Sequence, residues 1–153
     1  MHSSPSRWLW AFLACVLWTG STLPASAARM SFQVKLNGAQ QVPPVVTGGS
    51  GTADLTYDPA TKVLTWKVVF SSLSGPAIMA HFHGPAPAGK NAGVLIWMSA
   101  KGKMEPVPTP IVGQATLTDP EAVDLMAGNL YINIHTAKNK DGEIRWQVIP
   151  PAM

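Results

Sequence analysis

Residues 130–135 read Leu-Tyr-Ile-Asn-Ile-His, and this short stretch decides the fold class. Aliphatic and polar side chains alternate along it with the period of two that places successive residues on opposite faces of a β-strand. Comparable stretches recur along the chain between segments rich in Gly, Pro, Asn and Asp, which are typical of turns and loops. The pattern predicts an all-β protein built from short strands.

Eight strands are predicted, at residues 31–37, 52–57, 62–70, 78–83, 93–98, 111–117, 130–135 and 143–149. The one good helix signal follows the sixth strand, where Asp119 suits the N-cap, Pro120 the first helical position and Gly128 the C-terminal cap. We therefore predict an eight-stranded antiparallel Greek-key sandwich or barrel with one short helix near residues 119–127. Three tryptophans fall within strands and are expected to pack in its core: Trp66, Trp97 and Trp146.

The first 28 residues have the layout of a secretory signal peptide. Arg7 supplies a short positive region, an apolar run extends from Trp8 to Leu23, and small residues at 25–27 form a cleavage site. The only cysteine, Cys15, lies inside the apolar run and would leave with it. We expect a signal peptide at residues 1–28 and one domain at 29–153, in the periplasm or secreted, with a membrane anchor or a lipoprotein as alternatives.

The charge balance argues against some classes of partner. The chain has 11 basic and 8 acidic residues, and the basic ones form no run. A weakly positive domain of this kind gives no indication of nucleic-acid binding or of an anionic membrane surface. No apolar segment after residue 28 is long enough to span a membrane, so no membrane span is expected once the signal peptide is cleaved.

The placement of histidine is the most informative feature of the domain. His2 belongs to the signal peptide, and the other three lie near the ends of predicted strands. His81 and His83 are two residues apart and so project from one face of their strand, opposite Ala80 and Phe82. His135 likewise lies opposite the isoleucines of its own strand. If the aliphatic residues fill the core, all three imidazoles lie on the outer surface, where a metal ion is accessible.

Three histidines with no cysteine and no obvious carboxylate predict a mononuclear metal site. Imidazole binds zinc, copper, nickel and iron alike, but copper leads the affinity order of divalent metals and suits an exported protein. Copper is therefore the first expectation and zinc, held by three histidines with an open position, is the runner-up. Met79 shares the face of His81 and His83 and is a candidate fourth ligand, although plain packing is the alternative. Surface histidines with no ligand are the remaining alternative.

The last strand adds two charged candidates on one face. Glu143 and Arg145 alternate with aliphatic and aromatic residues, and a hairpin between the last two strands brings them near His135. Arg145 is predicted to attract an anion to the metal, and Glu143 to accept a hydrogen bond from an imidazole N–H. A solvent-facing pair of charges that contributes little energy is the alternative.

These motifs resemble those of the CHRD family, named after repeats in chordin. The resemblance rests on Leu36-Asn-Gly-Ala-Gln-Gln-Val-Pro-Pro44, Ala80-His-Phe-His-Gly-Pro-Ala86, Tyr131-Ile-Asn-Ile-His-Thr136 and Gly142-Glu-Ile-Arg-Trp-Gln147. It covers residues 31–149 and implies an extracytoplasmic, β-rich domain. One departure is Trp146, where the family commonly has glycine. The use of the domain in chordin implies a non-enzymatic interaction module as one function.

The histidine layout is also similar to that of copper/zinc superoxide dismutase. That similarity implies copper ligation by His81, His83 and His135, and a superoxide-guiding role for Arg145. The chain lacks a further histidine for a zinc site and a disulfide in the domain, so only a copper-only dismutase fits. Three functions therefore remain open: a copper-only superoxide dismutase, a copper carrier or buffer supplied by a delivery partner, and an interaction module.

Overall fold

The computed structural model describes residues 28–152. The predicted signal peptide, with His2 and Cys15, lies outside these residues apart from Ala28, and it stays a prediction. Within the described part of the chain, no helix has the length and apolar character needed to cross a membrane.

The described residues form eight antiparallel strands and one helix, which confirms the predicted fold class. The strands are β1 (Met30–Asn37), β2 (Ser50–Asp58), β3 (Val63–Ser71), β4 (Ala77–His83), β5 (Val94–Trp97), β6 (Ile111–Thr116), β7 (Leu130–Thr136) and β8 (Ile144–Val148), and α1 (Asp119–Met126) precedes β7. They make a single sheet in the order β5-β4-β7-β8-β1-β2-β3-β6. Because consecutive strands such as β3 and β4 are not neighbours, the connections cross in Greek-key fashion.

The sheet curls into a nearly closed barrel around an apolar interior. Alternate residues of every long strand point inward, as in β3, where Leu64, Trp66 and Val68 are buried. The Trp66 ring meets the Phe82 ring edge to face at 5.3 Å between centroids, joining the two halves of the core. The strands at the two ends of the order, β5 and β6, do not pair with each other. In the loop that connects them, the Val107 backbone N–H donates to the carbonyl oxygen of Ala77 at 2.8 Å.

The helix begins with a cap one residue earlier than the sequence signal suggested. Thr118, not Asp119, is the N-cap: its hydroxyl accepts from the Glu121 backbone N–H, and the Glu121 carboxylate accepts from the Thr118 backbone N–H at 2.7 Å. This reciprocal capping box satisfies two backbone donors at once, whereas a cap at Asp119 would satisfy one. Asp119 instead makes an exposed ion pair with Lys62.

Two connections matter for the site. The segment 84–93, which we call the strap, links β4 to β5 and lies against β7 and β8. The turn 137–143 links β7 to β8. The strap contains three glycines and two prolines, whereas the turn is mostly polar, and both are held by long-range hydrogen bonds that the sequence pattern does not reveal.

Candidate metal centre

Strand pairing brings the histidine-bearing strands side by side. In the antiparallel register of β4 and β7, His81 pairs with Asn133, His83 with Tyr131, and Met79 with His135. Paired residues of neighbouring strands point to the same face of a sheet. The three histidines therefore share one face, and the core residues of both strands occupy the other, as the alternation predicted.

The three imidazoles lie close enough to hold one ion. Each offers a ring nitrogen, and the three nitrogens lie within 4.8 Å of one another. His81 Nδ1 and His135 Nε2 are 3.1 Å apart. Nitrogens bound to a common tetrahedral ion at the usual metal–nitrogen distance are about 3.3 Å apart, so small side-chain rotations suffice for ligation.

The expectation of a surface site is wrong, because all three histidines are buried. His81 is 2%, His83 8% and His135 5% exposed. The strap covers His83, and Trp97 of β5 packs edge to face on the His81 ring at 4.3 Å. Alternation identifies the face of the sheet on which a side chain lies, but not what covers that face.

Backbone carbonyls orient two of the imidazoles. His83 Nδ1 donates to the carbonyl oxygen of Ala92 at 3.1 Å, and His135 Nδ1 donates to that of Lys140 at 2.8 Å. Each bond assigns the proton to Nδ1 and leaves the Nε2 lone pair free for a metal, as in metal-bound histidines with a carbonyl partner. In the described structure, the buried Nε2 atoms of His81 and His83 have no hydrogen-bond partner. Because His81 Nδ1 faces His135 Nε2 at 3.1 Å, a metal between the rings would be held by His81 Nδ1, His83 Nε2 and His135 Nε2, and the Nε2 atom of His81 lies outside that ligand set.

The surroundings keep these imidazoles neutral. Burial lowers the pKa of His81 to about 4, and the neighbouring His135 and His83 act on it in the same direction. Burial also lowers the pKa of His83 and of His135, although their hydrogen bonds to Ala92 and Lys140 act against it. Because a metal binds the neutral ring, the site needs to release few protons on binding at neutral pH.

Arg145 lies near the site but is not free to meet an incoming anion. Its guanidinium donates to Asn91 Oδ1 and to the carbonyl oxygen of Lys90, both at 2.7 Å. It also lies over the Tyr131 ring, 3.5 Å from the centroid. The other neighbour of that ring is His83, stacked with only 3° between the planes. Arg145 is 2% exposed, so its visible role is to hold the strap and to back Tyr131.

Glu143 does not accept a hydrogen bond from an imidazole, contrary to the prediction. Its carboxylate is enclosed by donors from three other segments: Thr47 Oγ1, Ser74 N and Oγ, Thr136 Oγ1 and Asn139 Nδ2. These bonds hold its pKa at about 2 despite burial, which acts to raise it. Glu143 therefore fastens the turn 137–143, while the Lys140 carbonyl in that turn performs the orienting role expected of the carboxylate.

Three features of the site were missed from the sequence. Trp97 was assigned to the core, but its pairing with His81 places it on the histidine face. Tyr131 carries a hydroxyl that donates to the carbonyl oxygen of Ala92 at 3.1 Å, sharing that acceptor with His83. The strap closes over both rings through Gln147, which donates to the carbonyl oxygen of Ala86. Alternation places Tyr131 on the same face as His135 and could have placed Trp97 there, but nothing local indicated the bond of the Tyr131 hydroxyl or the strap.

Comparison with known proteins agrees with the motifs. The CHRD domain family matches residues 32–148, which is most of the chain and nearly all of the described barrel. No curated protein and no solved structure gives a significant match. A family match of this extent is decisive for membership, and the chain belongs to the CHRD domain family.

Proposed function

We propose that this protein is an exported metal-binding protein that holds a single copper ion through His81, His83 and His135. The observation that carries the proposal is the convergence of three neutral imidazoles, with the Nδ1 proton of two of them fixed by backbone carbonyls. Buried polar atoms normally have hydrogen-bond partners, and His83 Nε2, one of the three ligand nitrogens, has none. A metal ion would supply the missing interaction.

Copper is favoured over zinc by the donor set. The group contains no carboxylate and no thiolate among the described residues, and copper forms the most stable complexes with nitrogen donors of this kind. Met79, opposite His135 in the register, is the candidate for a weak fourth contact through its thioether. Zinc, held by the same three histidines, is the competing ion.

The first experiment measures metal content after copper loading and desalting. Wild type should retain one copper per chain, and a His81→Ala/His83→Ala variant should retain none above background. The control is Gln33→Ala/Lys35→Ala, two exposed positions on β1, a strand that pairs with neither histidine-bearing strand. Equal copper in wild type and the histidine variant would refute the proposal and leave the interaction module as the function to test.

Export is part of the same proposal. The predicted signal peptide at 1–28, the absence of cysteine from the domain and CHRD membership all support a periplasmic or secreted protein. Expression of the full chain in a bacterial host, followed by cell fractionation and mass measurement, tests it. We expect an extracytoplasmic product that starts near residue 28 or 29, and a full-length product in the cytoplasm would contradict this.

Catalysis by a copper-only superoxide dismutase is the second candidate. The observation that favours it is the set of only three protein ligands, which leaves a coordination position open. Bound copper would supply the one-electron redox couple, and the chain would contribute three oriented imidazoles and a site shielded by the strap. The competing role is a carrier or buffer that receives copper from a delivery partner.

A superoxide assay separates the two roles. Turnover by the copper-loaded protein well above that of the same copper free in buffer would establish the dismutase. Turnover no better than free copper, together with tight retention of one ion, would establish the carrier. The near-complete burial of the ligands supports retention as the primary role.

A further inference from the structure

Among the residues that the structure describes, Arg145 is a buried cation with no acidic partner. Its acceptors, the Asn91 amide oxygen and the Lys90 carbonyl, are both neutral. The ion pairs of residues 28–152 involve other cations, namely Arg29, Lys62 and Lys103. Arginine remains protonated in proteins, and a buried charge is strongly unfavourable unless a compensating group lies nearby. A full positive charge is therefore held inside the domain.

This charge is directed at the histidine cluster. The guanidinium, the Tyr131 ring and the His83 ring form one column, with 3.5 Å from the guanidinium carbon to the Tyr131 centroid and 4.8 Å between the two ring centroids. Low exposure at each member of the column limits screening by solvent.

No charge of the opposite sign is in contact with the ligands among the residues that the structure describes. Glu143 is the other buried ionised group on the same face of the last hairpin, but its carboxylate bonds to hydroxyl, amide and backbone donors and makes no hydrogen bond to a ligand imidazole or to Arg145. Asp141 acts on His135 through space, but its side chain is exposed to solvent. The histidines themselves are neutral, so a bound ion brings its whole charge into a site that already faces a cation.

We propose that the buried charge of Arg145, presented to His83 across the Tyr131 ring, makes the three-histidine site prefer a monovalent ion, and so Cu(I) over Zn(II) and Cu(II). The inference rests on the proposed metal-binding function and names the form of the ion. Repulsion scales with the charge of the bound ion, so a divalent ion is disfavoured twice as strongly as a monovalent one. Three imidazoles without a carboxylate also give an uncharged ligand set, which compensates a single charge better than two.

The sharpest test neutralises the charge of Arg145 without removing the arginine. Asn91→Asp places a carboxylate where an amide oxygen now accepts from Nη1 at 2.7 Å. Asn91→Ala is the control for local contacts, because it removes the acceptor of Arg145 and, like Asn91→Asp, the hydrogen bond from Asn91 Nδ2 to the Val42 carbonyl oxygen, without adding a charge. Asn91 is an exposed residue of the strap, so both variants are expected to fold. Arg145→Gln, which deletes the charge itself, is the second variant.

The measurements are the dissociation constants for Cu(I) and for Zn(II). Cu(I) is measured by anaerobic competition with a chromophoric Cu(I) chelator, and Zn(II) by competition with a chromophoric zinc chelator. We expect Asn91→Asp to lower the preference for Cu(I) over Zn(II) roughly threefold and Arg145→Gln roughly tenfold. A tenfold loss of preference for Cu(I) over Cu(II) corresponds to a fall of about 59 mV in the reduction potential of bound copper.

The outcomes are distinguishable. A lower Cu(I) preference in Asn91→Asp with an unchanged preference in Asn91→Ala supports the inference. Equal preferences in the two Asn91 variants overturn it, even if both ions bind well, and this comparison does not require Arg145→Gln to fold. Failure of wild type to bind either ion refutes the proposed function instead.

Discussion

Replacement of Glu143 by glutamine is the most informative test of how the site is supported. Glu143 is fully buried, and its two oxygens accept from Thr47, Ser74, Thr136 and Asn139 at 2.5–3.1 Å. Glutamine has the same shape but presents an amide group to hydroxyl and backbone donors, so at least one buried donor loses its acceptor. Hydrogen bonds to a buried charge contribute about 1.5–3 kcal/mol each.

The depressed pKa of Glu143 gives the size of its contribution to the free energy of unfolding. The folded protein holds it at about 2, below the ordinary value of 4.5. A difference of this size corresponds to roughly 3 kcal/mol of stability at pH 7. Because the folded pKa is depressed, this contribution is complete above pH 4.5 and is lost as the pH falls toward 2. Between pH 7 and pH 3 the stability gap between wild type and Glu143→Gln should narrow by about 2 kcal/mol.

Urea denaturation of both proteins at a series of pH values measures this gap directly. The remaining carboxylates are common to both proteins, so their titration cancels in the difference. The reasoning is refuted if the gap at pH 7 is below about 1 kcal/mol, or if it does not narrow on acidification. Either result would mean that the enclosed carboxylate does not fasten the turn that carries the Lys140 carbonyl.

Three further predictions concern backbone geometry, core packing and histidine protonation. Gly142 has φ of +120°, and a Cβ added there would collide with the Asn133 side chain. Gly142→Ala should therefore destabilise the fold by about 2 kcal/mol or more. The control Gly75→Ala should not, because a Cβ added at Gly75 has nothing within 4 Å. Phe82→Ala removes a fully buried ring that packs on the opposite wall of the barrel, and thermal or urea denaturation should show a loss of about 3–5 kcal/mol. Because burial holds the pKa of His81 at about 4, the unfolded chain binds more protons between pH 6.5 and 4, so the metal-free protein should lose stability as the pH falls across that range. A flat profile in urea denaturation would contradict the burial of the neutral ring, and bound metal should raise stability at each pH.

Sequence periodicity was sufficient to predict the barrel, because the alternation of apolar and polar residues indicates which side chains face the core. Alternation in Leu130–Thr136 and in Ala77–His83 correctly predicted that the histidines share the face opposite Phe82 and Ile132. The helix was placed correctly, but its cap was misassigned even though Thr118 and Glu121 carry a legible capping-box signal. Two candidate caps in succession compete locally, and the reciprocal bond decides between them.

The errors at the site share a different cause. Burial of the histidines depends on the strap, whose contacts join Arg145 to Asn91 and Gln147 to Ala86 across more than fifty residues. Two of the donors around Glu143, Thr47 and Ser74, are also distant in sequence, at 96 and 69 residues. No local pattern encodes which loop returns to which strand, so the expected imidazole partner of Glu143 was inferred from proximity along one hairpin alone. The family motifs contain these residues, but their hydrogen bonds appear only in three dimensions.

The burial of the site also bears on whether the protein retains a metal ion or uses it in catalysis. The strap is fastened by Arg145, by the Tyr131 hydroxyl and by Gln147, and two of these three contacts are neutral hydrogen bonds between buried groups. A carrier needs the strap to open once for loading and once for release, whereas a catalyst needs an approach for every substrate molecule. Opening on each cycle would also expose the unpaired charge of Arg145 to solvent, weakening the field that favours the monovalent ion. The proposed preference for Cu(I), which depends on keeping water out, therefore suits retention of copper better than alternation of its oxidation state.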